Sequence, residues 1–173
     1  VRIWNARTAT LVTNLPLGLN VAVAFSPNSQ WLVTGAPAEY RFWRVGSWEP
    51  AHRIARHRAD DMLGIMAFSP DGRTLALVHG RNSDLRLIEA DTGREWAALE
   101  AGDPHSFSAH GNWLVTSEAD GLVRLWDLRR IRQQLTTMNL DWDAPLGDPE
   151  PPFASDKPLR IVVDLAKPES PTR

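Results

Sequence analysis

The sequence predicts an all-β chain made of repeated four-stranded units, and three observations carry that prediction. A four-residue pattern, apolar, Arg, apolar, then Trp or Ile, returns along the chain. A Phe-Ser turn keeps the same beat. Between these markers lie short apolar runs, separated by clusters of Gly, Pro, Asn and Asp that read as turns.

The first marker stands at Val1-Arg2-Ile3-Trp4, Tyr40-Arg41-Phe42-Trp43, Leu85-Arg86-Leu87-Ile88 and Val123-Arg124-Leu125-Trp126, its Arg positions 39, 45 and 38 residues apart. The second stands at Phe25-Ser26-Pro27, Phe68-Ser69-Pro70 and Phe107-Ser108-Ala109, spaced by 43 and 39. Five residues after each of these Ser residues an extended apolar run begins, at Trp31, Thr74 and Trp113. A fixed period of this size identifies a repeat architecture.

The elements follow in order. Val1 to Trp4 and Thr8 to Asn14 predict two strands of an incomplete first unit. In the second unit, Val21 to Phe25 is apolar on both parities and predicts a strand covered on both faces. In the third, Leu63 to Phe68 is the first strand, and Ser69-Pro70-Asp71-Gly72 is a turn. Thr74 to Val78, Leu85 to Ile88 and Glu95 to Leu99 are the strands after it. The last unit shows strands near 105–108, 113–117 and 122–127, with no fourth. Four-stranded sheets repeated in this way predict a β-propeller.

The residues just quoted resemble the WD40-repeat family. Val123-Arg124-Leu125-Trp126-Asp127 matches its repeat-ending Trp-Asp signature, and Phe68-Ser69-Pro70-Asp71-Gly72 its turn after the innermost strand. Asp120 stands where the family carries a structural turn Asp. The resemblance implies a partial propeller over residues 1–127, with about three blades plus a half blade. Because closed propellers need at least about four blades, the expectation is the C-terminal portion of a longer chain, completed by upstream blades. The departures are specific: there is no Gly-His dipeptide, Pro37 and Asn82 replace the turn Asp, and Ile88 replaces one Trp. These copies are expected to lack the full hydrogen-bond network of the family.

After Asp127 the period changes. Leu128, Ile131, Leu135 and Met138 fall on one helical face, predicting an amphipathic helix within 128–141. Asp127 is its N-cap and Asn139 its left-handed terminus. Arg129, Arg130 and Arg132 are expected on a solvated opposite face. Residues 142–173 hold seven Pro residues from Pro145 to Pro171 and predict a largely disordered tail or linker. The segment Leu140-Asp141-Trp142-Asp143 also resembles the one that follows the propeller in large bacterial WD40 proteins. Some of those carry an upstream Ser/Thr kinase domain.

Function is narrowed mainly by exclusion. The 173 residues are 43% hydrophobic and 23% charged, which excludes wholesale disorder. A net charge of −2 argues against a general nucleic-acid binder, and no apolar run is long enough to span a membrane. With no Cys, thiolate metal sites and a Cys nucleophile are absent. The five His residues show no zinc-binding spacing, and a kinase signature is missing from this segment. Ser26, Ser69 and Ser108 repeat, so they read as structural rather than nucleophilic. Trp4, Trp43 and Trp126 repeat too and read as packing residues.

What remains is an interaction scaffold with no cofactor, no metal and no catalysis, binding other proteins in the cytoplasm. The alternative is a regulatory region of a bacterial Ser/Thr kinase. Loops converging on one face give the candidate contacts: Tyr40, His57, Arg58, Asp60, Asp61, Arg81, Asn82 and His105. They mix both charges with aromatic and imidazole groups, as a docking rim does.

Overall fold

The computed structural model describes residues 1–18, 20–56, 63–80, 84–118 and 120–142. Along them the alternation of apolar residues resolves into four antiparallel sheets. The first is a hairpin of β1 (Arg2–Asn5) and β2 (Thr10–Asn14). The second contains β3 (Ala22–Phe25), β4 (Trp31–Gly35), β5 (Glu39–Arg44) and β6 (Pro50–Ala55). The third contains β7 (Met66–Phe68), β8 (Thr74–Val78), β9 (Asp84–Glu89) and β10 (Glu95–Glu100). The fourth stops at three strands among the described residues: β11 (Asp103–Phe107), β12 (Trp113–Ser117) and β13 (Val123–Asp127). Within each sheet the strands pair in chain order, so every connection is short and local.

The turn between the first two strands is built three times from the same hydrogen bonds. Ser26 Oγ accepts from the Trp31 amide at 2.9 Å, Ser69 Oγ from Thr74 at 2.9 Å and Ser108 Oγ from Trp113 at 3.1 Å. The Ser amides return the bond to the carbonyls of the same three residues. In each copy the tightest position has positive φ: Ser29 at 59°, Gly72 at 71° and Gly111 at 74°. Glycine takes that region without a Cβ penalty, which fits two of the three copies. Asn28 and Asp71 accept from the first two Ser hydroxyls at 2.6 Å, closing the loop.

Each sheet buries alternate residues against a different neighbour. In the second, Trp31, Val33, Tyr40 and Phe42 meet Leu75, Leu77 and Ile88 of the third. On its other face, Leu32 and Trp43 meet Leu15, with Val1 and Ile3 of the first hairpin. The third turns Ala76, Leu85 and Leu87 toward Leu114 of the fourth. The blades therefore stack face to face, as in part of a propeller.

Some indole hydrogen bonds survive the sequence departures. Trp43 Nε1 donates to Thr34 Oγ1 and Trp126 Nε1 to Thr116 Oγ1, both at 3.0 Å. Trp43 is buried and Trp126 half-buried, whereas Trp4 is 55% exposed. The expectation that the first strand of the second sheet is covered on both faces is wrong. Val23 and Phe25 are more than half exposed, because the β1–β2 hairpin packs on Leu32 of β4 and Trp43 of β5 and leaves β3 bare on that side.

Helix α1 (Leu128–Thr137) starts and ends on identifiable caps. The Asp127 carboxylate accepts from the Arg130 amide. At the other end Asn139 takes φ 57°, and the Asn139 and Leu140 amides donate to Thr136 and Leu135, a Schellman ending. Leu128, Ile131 and Leu135 pack with Trp96 and Leu99 of the third sheet's outer strand. Two details of the expected helix are corrected. Met138 lies beyond the last turn and is exposed, so the buried face ends at Leu135. Arg132 is not solvated but buried, because Asp141 takes its Nε at 2.9 Å and the Trp142 carbonyl its Nη2 at 3.0 Å. Trp142 then stacks on Trp96, centroids 5.7 Å apart. The Pro-rich tail beyond Trp142 lies outside the described residues.

Candidate interaction face

The ends of β4 and β8 and the starts of β5 and β7 meet at one end of the seam between the second and third sheets. Gly64 donates to the Gly35 carbonyl at 3.1 Å across the seam between the second and third sheets. A Cβ on Gly35 would lie 2.4 Å from the Gly64 carbonyl oxygen, so only glycine permits this approach. Arg56 is buried beside them, donating to the Ala36 carbonyl at 2.7 Å and standing over the Tyr40 ring.

Tyr40 was expected on this rim, and the structure places it beneath. It is fully buried, and its hydroxyl donates toward the carbonyls of Val78 at 2.8 Å and Ile65 at 3.0 Å. A phenol can end a core strand when its one polar atom finds acceptors. Of the other candidates, His57, Arg58, Asp60, Asp61, Arg81 and Asn82 lie outside the described residues. His105 is exposed on β11, with Nε2 2.6 Å from Ser117 Oγ on β12. A hydrolytic triad would also need a carboxylate orienting the imidazole, and among the described residues none is paired with His105.

Sequence reasoning missed the ion pairs. The recurring Arg of the four-residue pattern meets an acid in each of the last three sheets. Arg41 pairs with Glu39, Arg86 with Asp84 at 2.7 Å and Arg124 with Glu118 at 2.6 Å. Arg86 also reaches Glu95 at 2.6 Å, and His79 approaches Asp84 at 3.5 Å. The hydrogen bond from Arg86 holds the Asp84 carboxyl below its ordinary value of 3.8, with burial acting in the opposite sense. The acid two residues before Arg41 and Arg86 was the available signal, because i and i+2 share a strand face. Asp120 and Asp127 hold backbone, accepting from the amides of Leu122 and Arg130. Among the described residues no group of three His, Asp or Glu side chains could hold a metal ion.

The family model described as WD domain, G-beta repeat matches residues 18–43 and 105–127, which contain the second and fourth sheets' inner strands. The sheets, turns and matched repeats agree. Both matched segments are WD40 repeats. It is 28% identical over 137 residues to the target of rapamycin complex subunit wat1 of Schizosaccharomyces pombe. It is 26% identical over 136 residues to pre-mRNA-processing factor 19 homolog 2 of Arabidopsis thaliana. Each match covers 74% of this chain but 41% and 25% of the two relatives, respectively. A chain in the crystal structure of a mitotic checkpoint complex superposes with a TM-score of 0.61 at 16% identity. That match covers 74% of this chain and 40% of the other, and it shows the fold. No helix among the described residues is long and apolar enough to cross a membrane.

Proposed function

We propose that this WD40 chain is a non-catalytic scaffold for protein–protein interaction, acting in the cytoplasm through the face just described. The observation that carries the reading is the repetition of its polar chemistry. Ser26, Ser69 and Ser108 spend their hydroxyls on one turn, and Arg41, Arg86 and Arg124 spend their charge on neighbouring acids. Groups used in parallel ways in successive sheets hold the sheets and leave no distinctive reacting centre among the described residues. Two matched proteins support the reading by their names, as a complex subunit and as a chain of a checkpoint complex. The partners are other proteins, with further blades of the same polypeptide included in the proposal.

Affinity capture with quantitative mass spectrometry tests it. A partner should be recovered in fixed proportion, lost when a carboxylate is introduced at the β11 edge (His105→Glu) and kept on Arg94→Glu in the β9–β10 turn. Recovery that ignores both changes would contradict docking on this face.

A further inference from the structure

One side chain at the seam between the second and third sheets has no structural use for a second proton. His52 of β6 lies flat on Phe42, centroids 4.1 Å apart, and edge-on to Trp31 at 5.5 Å. The turn between β9 and β10 closes over it. A Cβ on Gly93, which has φ 74°, would stand 2.8 Å from His52 Cδ2. Nε2 is sealed from solvent and has no hydrogen-bond partner among the described residues. We propose that His52 makes this seam pH-responsive, the neutral imidazole closing it and the imidazolium loosening it.

The physical reason is that a neutral ring tolerates an aromatic sandwich with one bare nitrogen, whereas a charged ring must bury an N–H donor without an acceptor. The charged groups facing it do not supply one. Asp91 approaches from the turn, where its Oδ1 accepts from Trp31 Nε1 at 2.9 Å, and neither carboxylate oxygen lies within hydrogen-bond distance of His52 Nε2. Arg44 at the end of β5 stands over Trp31 at 5.0 Å and opposes a second cation. Burial accordingly holds the imidazole below its ordinary 6.5, with Asp91 acting upward and Arg44 downward. Above 6.5 the ring is neutral whether the chain is folded or not. As pH falls through 6.5 the unfolded chain takes the proton first, so the closed seam loses stability until the lower folded value is passed.

The test is an NMR titration of the His52 ring in the full chain, with amide exchange followed from pH 7.5 to 5.5 and corrected for intrinsic rates. The ring should titrate below 6.5, and protection of Val33 and of the Asp91–Gly93 turn should fall with acid. Each unit of depression corresponds to about a tenfold change in the opening ratio. His52→Phe, which keeps the stacking and removes the proton site, should abolish the acid-dependent part. A ring that titrates at or above 6.5 overturns the proposal even if the variant does not fold. Equal acid sensitivity in His52→Phe and the parent would overturn it as well.

Discussion

Strands β5 and β13 carry the same four-residue pattern, Tyr-Arg-Phe-Trp in one and Val-Arg-Leu-Trp in the other, yet their burial differs sharply. Tyr40 and Phe42 are fully buried, while Val123 and Leu125 are 65% and 59% exposed. The difference does not lie in the strands themselves. Both pair in register with the strand before them, and both hold their Trp indole on a Thr hydroxyl of that strand. It lies in what covers the far face. The third sheet sits on Tyr40 and Phe42, and nothing among the described residues sits on Val123 and Leu125. The apolar positions of the repeat are therefore written for a neighbouring blade, and their worth depends on whether that neighbour is present.

The largest effect expected from this comparison is a matched pair of truncations. Phe42→Ala should cost about 3–5 kcal/mol, as for a buried aromatic. Leu125→Ala, at the equivalent position, should cost less than about 1 kcal/mol. Urea unfolding of both variants measures the contrast, and equal losses would mean that β13 is covered after all.

Much of the fold was legible because the repeat states each element more than once. The Ser turns, the indole positions and the caps of α1 are local devices whose partners lie within ten residues or so, and such signals survive in a linear reading. What was not legible depends on partners far along the chain. Tyr40 reads as a rim residue until the carbonyls of Ile65 and Val78 arrive from the next sheet. Arg132 is missed for another reason: Asp141 and Trp142 are near in sequence, but they fold back over it only because the Schellman turn reverses the chain. The cage around His52 joins β4, β5 and β6 to a turn of the third sheet, which no local pattern announces. Coverage of β3 was misjudged for the same reason, since an apolar run states what a strand can bury and not what reaches it.

An intermediate effect should separate two of the three copies of the Ser turn. Ser69→Ala leaves a Thr74 amide without its acceptor in a buried turn and should cost about 1–2 kcal/mol. Ser108→Ala removes the same bond from a half-buried turn and should cost less, below about 1 kcal/mol. Identical losses in thermal unfolding would show that the fourth sheet is held as firmly as the third.

The smallest effect concerns the ion pairs. Because the folded Asp84 carboxyl lies below 3.8, its contribution is present above that pH and is lost as pH falls through the depressed folded value. Asp84→Asn should remove that part of the acid-induced loss and cost under about 1 kcal/mol at neutral pH, because the pair is partly exposed. Unchanged acid sensitivity in unfolding experiments between pH 5 and 2 would assign the loss to other carboxylates.

Stability in this chain comes from blade against blade, so protection should follow coverage rather than strand pairing. Native-state hydrogen exchange resolved by residue measures it directly. Amides of β8 and β9, covered on both faces, should be the last to exchange, those of β5 close behind, and those of β13 and of the β1–β2 hairpin far earlier. Uniform protection from β1 to β13 would contradict the account, because each strand would then be held by its own sheet without help from the next.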